Sequence, residues 1–263
     1  MEYLFDEKQY QEAFCDVLSE VTKNVAIKKN HAVLFLGAQP GAGKSTFSNI
    51  DSSFADYIKI NGDEYRKNHP FYKEIMLHER ENMAELTQPF VNRVVEHLIK
   101  ELSKEGYNLI IEGTLRDPNV PISTCNMLKG KGYTTELYVI GCDACESWES
   151  TINRAKLMAE IEHNPRLVPI DKYNIIVNNL FESLKTIEKA DCMDKIVLLS
   201  RDSRILWKKI NENSNIHASD VLEKVLDVSK WNKQFEEYKK EYEDFVDTVK
   251  NKPLVSNVKR GGR

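Results

Sequence analysis

The chain has 263 residues, of which 41% are hydrophobic and 30% are charged, and this is enough for one large α/β domain or a domain with an appendage. The formal net charge of −4 excludes a strong overall attraction to nucleic acid or to an anionic membrane. No apolar run reaches membrane-spanning length, and the first residues lack the basic and apolar regions of a signal peptide. We therefore expect a cytoplasmic protein with neither a nucleic-acid nor a membrane partner.

The first predicted elements form a strand, a loop and a helix in that order. Apolar residues at three- and four-residue steps predict an amphipathic helix over 8–28. The apolar run HAVLFLGA at 31–38 then predicts a strand that is buried on both faces. A Gly-rich loop follows it, and a helix is expected from about Lys44. This order is the context that a phosphate-binding loop requires.

Predicted strands and helices continue to alternate up to residue 200. The further predicted strands are 57–60, 107–113, 134–142 and 195–200. The further predicted helices are 84–104, 121–130, 147–161 and 169–190. Within 84–104, Pro89 marks either a bend or a new start. The alternation predicts an α/β fold with a doubly wound, mostly parallel sheet flanked by helices, and ligands at the carboxyl ends of its strands.

The carboxy-terminal part has a different character. Aromatic and apolar residues at steps of three and four predict one helix over 228–250, and the tail 251–263 is basic and expected to be disordered. The helix fits two interpretations, which are packing against the rest of the chain and binding of a partner. We expect two domains, a kinase-like domain over 1–210 and a helical extension with a basic tail over 211–263.

The five cysteines are odd in number and scattered, which predicts reduced thiols rather than a disulfide framework. Cys142 and Cys145 form a CxxC pair, but no second Cys or His pair at ligand spacing accompanies them. We therefore expect no zinc or redox function at this pair.

Residues 38–45, AQPGAGKS, match the Walker A arrangement. Its glycines let the backbone curl so that successive N–H groups and the start of the next helix point at phosphate oxygens. Lys44 is expected to reach the β- and γ-phosphates, and the Ser45 hydroxyl to ligate Mg²⁺. The predicted ATP-binding residues are Gly41, Ala42, Gly43, Lys44, Ser45 and Thr46.

Other features of the sequence narrow the class of nucleotide-binding protein. The chain lacks the Asn-Lys-x-Asp motif that recognises guanine, which argues against a GTPase switch. Motor and assembly ATPases usually end an apolar run in paired acids, whereas the predicted strand 107–113 carries only Glu112. A small-molecule kinase fits these facts better.

A kinase of this kind needs a carboxylate near the acceptor hydroxyl and cations around the transferred phosphoryl group. Asp63 directly follows the second predicted strand and fits either the catalytic carboxylate or a cap of the next helix. Arg154 and Arg166 fit the cations, because a guanidinium makes two hydrogen bonds to oxyanions. Their alternative is a solvent-exposed pairing with Glu160 or Glu162.

Three more polar residues lie at the carboxyl end of a central predicted strand, in the segment IIEGTLRD. Glu112, Thr114 and Arg116 are in the place where substrate contacts cluster in such sheets. Ordinary turn capping is the alternative for all three.

Several ordered motifs resemble the zeta toxin family, kinase components of bacterial toxin–antitoxin pairs. They are GAQPGAGKST, INGDEYRKNHP, IIEGTLRDPNVP, TINR followed by NPRLVP, and IIVNNL, and they extend over about residues 30–205. The family phosphorylates UDP-N-acetylglucosamine, so the resemblance implies a P-loop kinase-like fold and transfer of the γ-phosphate of ATP to the 3′-hydroxyl of the amino sugar. A protein antitoxin that blocks the nucleotide cleft is the implied partner.

The resemblance also implies roles for individual residues. Asp63 matches the acidic residue that activates the sugar hydroxyl, and Lys44 and Ser45 match the contacts to ATP and Mg²⁺. Arg154 and Arg166 match the arginines that stabilise the transferred phosphoryl group. The positions that match contacts to the sugar nucleotide are Glu112, Thr114 and Arg116.

Three departures from the family pattern are visible, and two other functions stay open. The spacing between Arg154 and Arg166 is about one residue shorter than in the family. Ala38 replaces the usual first glycine of the Walker motif, and the helix over 228–250 lies beyond the usual core, where it fits an added structural element or a built-in substitute for an antitoxin. One alternative function is phosphotransfer to another hydroxyl, such as that of an antibiotic or a nucleic-acid end. The other is a non-catalytic ATP-binding regulatory protein.

Overall fold

The computed structural model describes residues 3–44, 47, 54–161, 167–208 and 216–250. Its strands are β1 Ala32–Gly37, β2 Ile58–Ile60, β3 Leu109–Gly113, β4 Thr134–Gly141, β5 Lys195–Ser200 and β6 Ile205–Lys208. They form one sheet with the order β2-β3-β1-β4-β5-β6. Neighbouring strands from β2 to β5 are parallel, and β6 runs antiparallel to β5. The predicted mostly parallel sheet is confirmed.

Helices flank this sheet in the described part of the chain. They are α1 Glu7–Thr22, α2 Tyr72–His78, α3 Met83–Leu86, α4 Gln88–Glu105, α5 Asn119–Lys129, α6 Ala144–Ile161, α7 Ile170–Ala190, α8 Ala218–Leu226 and α9 Val228–Lys250. Two 3₁₀ helices, Gly62–Asn68 and Arg80–Asn82, lie between β2 and α3. Among these helices, none combines the length and apolar composition needed to cross a membrane.

The amino-terminal helix is shorter than the periodicity predicted. Asp6 caps α1, because its carboxylate accepts from the Gln9 N–H while the Gln9 side chain accepts from the Asp6 N–H. Lys23 then takes an extended backbone and Asn24 a left-handed one, with φ of 64°. The chain therefore leaves the helix after Thr22, and the prediction of a helix to residue 28 was wrong at that end.

Pro89 begins a new helix, which decides between the two alternatives of the sequence. It lies in the first turn of α4, where its missing N–H costs nothing, and the short helix α3 precedes it. The helix ends at Gly106, whose φ is +89°. A Cβ on Gly106 would lie 2.6 Å from the His31 ring, so a larger residue does not fit there.

Two elements of the carboxy-terminal part were not predicted. Strand β6 is a short, exposed edge strand, and the nine-residue helix α8 follows a segment outside the described residues. Ala218, Leu222 and Leu226 of α8 pack in the same apolar core as the central strands. Helix α9 covers the predicted range and packs on α6 and α7. The division of the chain at residue 210 into two domains stays a prediction, and the tail 251–263 lies outside the described residues.

Candidate active site

The predicted site residues follow the carboxyl ends of neighbouring parallel strands. The register pairs Gly37 of β1 with Gly113 of β3, and Ile60 of β2 with Ile111 of β3. The Ala38 N–H also donates to the Gly113 carbonyl at 3.3 Å. Strands β1 and β3 therefore end level and β2 ends two residues earlier, opposite Ile111, so the segments that follow them start from one edge of the sheet.

The Gly-rich loop is shaped by glycines that no other residue can replace without strain. Gly41 and Gly43 have φ of +80° and +102°, a region that side chains rarely adopt. A Cβ on Gly41 would lie 2.0 Å from the Ser147 carbonyl oxygen and 2.5 Å from Thr151 Oγ1. Ala42 between them is fully buried. The loop is thus pressed against helix α6, and its curl forms the kind of cradle that phosphates occupy.

Lys44 lies at the end of this loop in helical conformation. Its Nζ donates to the carbonyl of Ala38 at 2.7 Å and to that of Gln39 at 3.3 Å. These bonds hold the ammonium over the loop, where a phosphate would be its natural counter-ion. Ser45 and Thr46, the predicted metal and nucleotide contacts, lie outside the described residues.

Asp63 lies in the first turn of the 3₁₀ helix that follows β2. The side chain of Asn61 accepts from the Asp63 N–H at 3.1 Å, so Asn61 and not Asp63 caps this helix. The Asp63 side chain is 40% exposed and pairs with Arg66, whose Nε lies 3.0 Å from Oδ1. This removes the capping alternative for Asp63 and leaves its carboxylate at the edge where the strands end.

Arg66 is a further residue of this region and was not among the site residues predicted from the sequence. Only 14% of its side chain is exposed. Besides the contact to Asp63, Nη1 donates to the Ala84 carbonyl and Thr87 Oγ1, both at 2.8 Å, and Nη2 donates to Gln88 Oε1 at 2.8 Å. Burial lowers the pKa of Arg66, but the group stays charged at neutral pH. The guanidinium therefore fixes the Asp63 carboxylate relative to α3 and α4.

The three predicted substrate residues lie at the end of β3. The Glu112 side chain is 6% exposed and lies 3.0 Å from Lys59 Nζ, which is also 3.9 Å from Glu64. Thr114 is half-buried and Arg116 is exposed. Leu115 between them has a left-handed backbone with φ of 53°, an uncommon conformation for a residue with a branched side chain. The left-handed backbone at Leu115 therefore sets the directions in which Thr114 and Arg116 leave the turn.

Helix α6 brings Arg154 to the side of the phosphate loop. Ser147 and Thr151, which contact Gly41, stand at positions i and i+4, and Arg154 stands at i+7. These three positions share one face of a helix, so Arg154 lies on the face that meets the loop. Its side chain is exposed. Arg166 lies outside the described residues.

The CxxC pair shows the chemistry of ordinary buried thiols. Cys142 and Cys145 are both buried, and the Cys145 thiol donates to Gln234 Oε1 at 3.0 Å. Burial raises the pKa of Cys142 to about 11, and burial also raises the pKa of Cys145. Both thiols are therefore protonated at neutral pH, which is unfavourable for a metal ligand or a redox nucleophile.

The parallel sheet and the glycine loop at its edge define a P-loop, kinase-like protein. The sequence model of the family described as Zeta toxin matches residues 16–212. A curated relative, Toxin zeta of Streptococcus pyogenes, is 33% identical over 84% of this chain and 78% of its own length. Toxin PezT of Streptococcus pneumoniae is 31% identical over 84% of this chain and 88% of its own length. The chain belongs to the zeta toxin family.

Solved structures agree with this assignment. One from a study of the PezAT chromosomal toxin–antitoxin system of Streptococcus pneumoniae has a TM-score of 0.77 and 28% identity, and the match covers 96% of this chain and all of the other. A structure of AvrRxo1-ORF1:-ORF2 with ATP has a TM-score of 0.53 at 13% identity, covering 83% of this chain and 70% of that one. The second likeness shows the fold alone.

Proposed function

We propose that this chain is an ATP-dependent kinase that transfers the γ-phosphate to the 3′-hydroxyl of the amino sugar of UDP-N-acetylglucosamine. The observation that carries the proposal is the common edge from which the Walker loop, the Asp63 segment and the Glu112 segment all start. Membership of the zeta toxin family supports the acceptor. The product would act as a dead-end analogue in cell-wall precursor synthesis, which would make the protein a toxin acting in the cytoplasm.

The loop would bind the phosphates of ATP, with Mg²⁺ at Ser45. The loop would suit a phosphate because Gly41 and Gly43 have positive φ values, which let successive backbone N–H groups point at one anion. Lys44 would exchange its two carbonyl partners for phosphate oxygens, and Gly41, Ala42, Gly43, Ser45 and Thr46 would supply the remaining contacts. ATP bound there supplies the γ-phosphoryl group.

Asp63 would receive the acceptor hydroxyl. Its carboxylate accepts the hydroxyl proton and directs the oxygen at the γ-phosphorus, in one in-line displacement without a phosphoenzyme. Arg66 binds Oδ1 and thereby fixes the orientation of the carboxylate. Arg154 and Arg166 neutralise the charge on the transferred group, and their delocalised guanidinium groups suit its oxygens.

The acceptor would lie against the end of β3. The buried Glu112 carboxylate accepts hydrogen bonds from sugar hydroxyl or amide groups, with Lys59 as its counter-ion. Thr114 and Arg116, aimed by the left-handed Leu115, would contact the remaining polar groups of the sugar nucleotide. A site that hydrogen-bonds its substrate in this way discriminates strongly against analogues that lack those groups.

The test is to incubate the purified protein with ATP, Mg²⁺ and UDP-N-acetylglucosamine and to analyse the sugar nucleotide by mass spectrometry. We expect a product heavier by one phosphoryl group, together with one ADP for each product molecule. ADP without that product would mean another hydroxyl acceptor, and a panel of hydroxyl compounds including an aminoglycoside and a DNA 5′-end would then identify it. Absence of both ADP and product would favour the ATP-binding regulatory protein.

The proposed partner is an antitoxin that covers the nucleotide cleft. A structure from the PezAT toxin–antitoxin system matches this chain over most of its length, which supports the proposal. Expression of the chain alone should arrest bacterial growth, and co-expression of an acidic protein encoded next to its gene should restore growth and co-purify with it. Growth that is unaffected by the chain alone would remove the toxin role and leave the kinase chemistry to be judged separately.

A further inference from the structure

A buried hydrogen-bond network of hydroxyl and amide groups lies behind the phosphate loop. Gln39 of the loop, Ser147 of α6 and Tyr173 of α7 each have 0% exposure. Gln39 Nε2 donates to Ser147 Oγ at 3.2 Å, and Ser147 Oγ lies 2.5 Å from the Tyr173 hydroxyl. The Tyr173 hydroxyl in turn donates to the Ala144 carbonyl at 2.6 Å. Three polar side chains thus connect the loop to two helices without contact with solvent.

Several hydrogen bonds meet at the Ser147 hydroxyl, which also lies 3.0 Å from the Asp143 carbonyl oxygen and 3.2 Å from the Ala144 carbonyl oxygen. The Tyr173 hydroxyl lies within hydrogen-bond distance of both Ser147 Oγ and the Ala144 carbonyl, and either hydroxyl can supply the proton between them. Ser147 also accepts from Gln39, whose amide is oriented by a second bond from Nε2 to the Cys142 carbonyl at 2.7 Å. Removal of the Tyr173 hydroxyl therefore takes away the shortest contact of Ser147 Oγ, at 2.5 Å, and lets Ser147 shift from the position in which it accepts from Gln39.

The loop also touches α6 directly. The gap between Gly41 and the Ser147 carbonyl is too narrow for a single carbon atom. Any shift of the first turns of α6 toward the loop would therefore push the Gly41 backbone, and a shift away would open a gap behind it. The position of Ser147 sets the position of the phosphate cradle.

Helix α9 holds Tyr173 from the other side. Trp231 has 0% exposure, and its ring lies 4.9 Å from the ring of Tyr173. Its Nε1 donates to Asn174 Oδ1 at 2.8 Å, next to Tyr173 on α7. Lys230 lies 3.2 Å from Asp143, which immediately precedes α6. The aromatic helix that the sequence left without a role is therefore packed against both helices that back the loop.

We propose that Tyr173 is a positioning residue for the ATP-binding loop and that α9, through Trp231, holds Tyr173 in place. This inference rests on the proposed binding of ATP to the loop. Tyr173 acts through Ser147 and Gln39 and needs no contact with the nucleotide. Its loss should therefore change the affinity for ATP and leave the chemical step unchanged once ATP is saturating.

The experiment compares Tyr173→Phe and Ser147→Ala with Tyr133→Phe. Tyr133 is also a buried tyrosine, and its hydroxyl donates to the Tyr107 carbonyl at 2.7 Å. It directly precedes β4 and therefore lies at the amino-terminal ends of the parallel strands, away from the phosphate loop. Binding of ATP is measured by titration calorimetry, and stability by urea unfolding. We expect the dissociation constant for ATP to rise roughly 3- to 10-fold in Tyr173→Phe and in Ser147→Ala. Tyr133→Phe should lose similar stability with no change in affinity.

Steady-state kinetics separate positioning from general destabilisation. The KM for ATP should rise with the dissociation constant, while kcat at saturating ATP and the KM for the acceptor stay within about twofold. Trp231→Phe should weaken ATP binding, and the effects of Trp231→Phe and Tyr173→Phe should be non-additive. Wild-type affinity in both Tyr173→Phe and Ser147→Ala overturns the inference. If the unaltered protein binds no ATP, the proposed function fails first and the inference with it.

Discussion

The two walls of the site are built in different ways. The wall formed by the phosphate loop is fixed by steric contact and by fully buried polar groups, as at Gly41, Gln39 and Ser147. The opposite wall presents Asp63, which is 40% exposed and pairs with the Arg66 guanidinium. The first wall is rigid because any movement meets backbone atoms, whereas the second depends on side-chain hydrogen bonds. We therefore expect changes in the first wall to alter nucleotide affinity and changes in the second to alter turnover.

The largest expected effect belongs to the exposed wall. Asp63→Asn keeps the shape of the side chain but cannot take up the acceptor proton, so kcat should fall by about 10²- to 10⁴-fold while ATP still binds. Turnover is measured by product formation at saturating substrates. Asp56→Asn is the matched control, because Asp56 is also exposed and pairs with one cation, Lys28, but lies before β2. Normal turnover in Asp63→Asn would show that the acid is another residue.

A smaller effect is expected from the rigid wall. Gly41→Ala should weaken ATP binding by roughly 10- to 100-fold, because its Cβ meets the Ser147 carbonyl and its φ is strained for alanine. Gly132 has almost the same φ, +83°, with no atom within 4 Å of the added Cβ. Gly132→Ala therefore measures strain without the clash. Equal ATP affinities in the two variants would contradict steric fixation of the loop.

Arg66→Lys tests how the exposed wall is held. Lysine keeps the positive charge beside Asp63 but cannot form the fork to Ala84, Thr87 and Gln88. We expect kcat to fall about tenfold with little change in the affinity for ATP. Arg93→Lys is the control, since Arg93 also makes two bonds, to the Glu7 carboxylate, on an exposed surface. A kcat for Arg66→Lys equal to that of the control would mean that Asp63 needs no fixed orientation.

The smallest effect is a dependence of stability on pH next to the exposed wall. His69, which follows the 3₁₀ helix of Asp63, is 3% exposed, and burial lowers its pKa. Below about pH 6.5 the unfolded chain takes up this proton and the folded protein resists it, so the free energy of unfolding decreases as pH falls. The loss is at most about 1.4 kcal/mol per pH unit.

Urea unfolding at pH 8 and pH 5.5 measures this loss. His69→Asn should flatten the dependence relative to the unaltered protein, because asparagine does not titrate and can still accept from the Phe71 N–H. All other residues are the same in the two proteins, so the difference between their pH dependences reports on position 69. An identical pH dependence in the variant would place the titrating group elsewhere.

Local patterns predicted much of the fold and the outline of the site. Short apolar runs predict the buried strand before the Walker loop and the alternation of strands and helices. These predictions are correct because each run lies within a single helix or strand. The residue-level errors come from tertiary context. Helix α1 ends early at an extended Lys23, and β6 is an exposed edge strand whose pairing with β5, rather than its own pattern, defines it.

The sequence by itself determined the P-loop and the family, because the glycines, Lys44 and the residues of each ordered motif are close neighbours in the chain, and their spacing carries the signal. Only the tertiary structure decided that Asn61 caps the helix of Asp63, that Arg66 holds its carboxylate, and that Tyr173 backs the loop. Gln39 and Ser147 are separated by 108 positions, and Ser147 and Tyr173 by 26. No local sequence pattern predicts such contacts, since they form only when helices that are distant in the sequence pack against one loop.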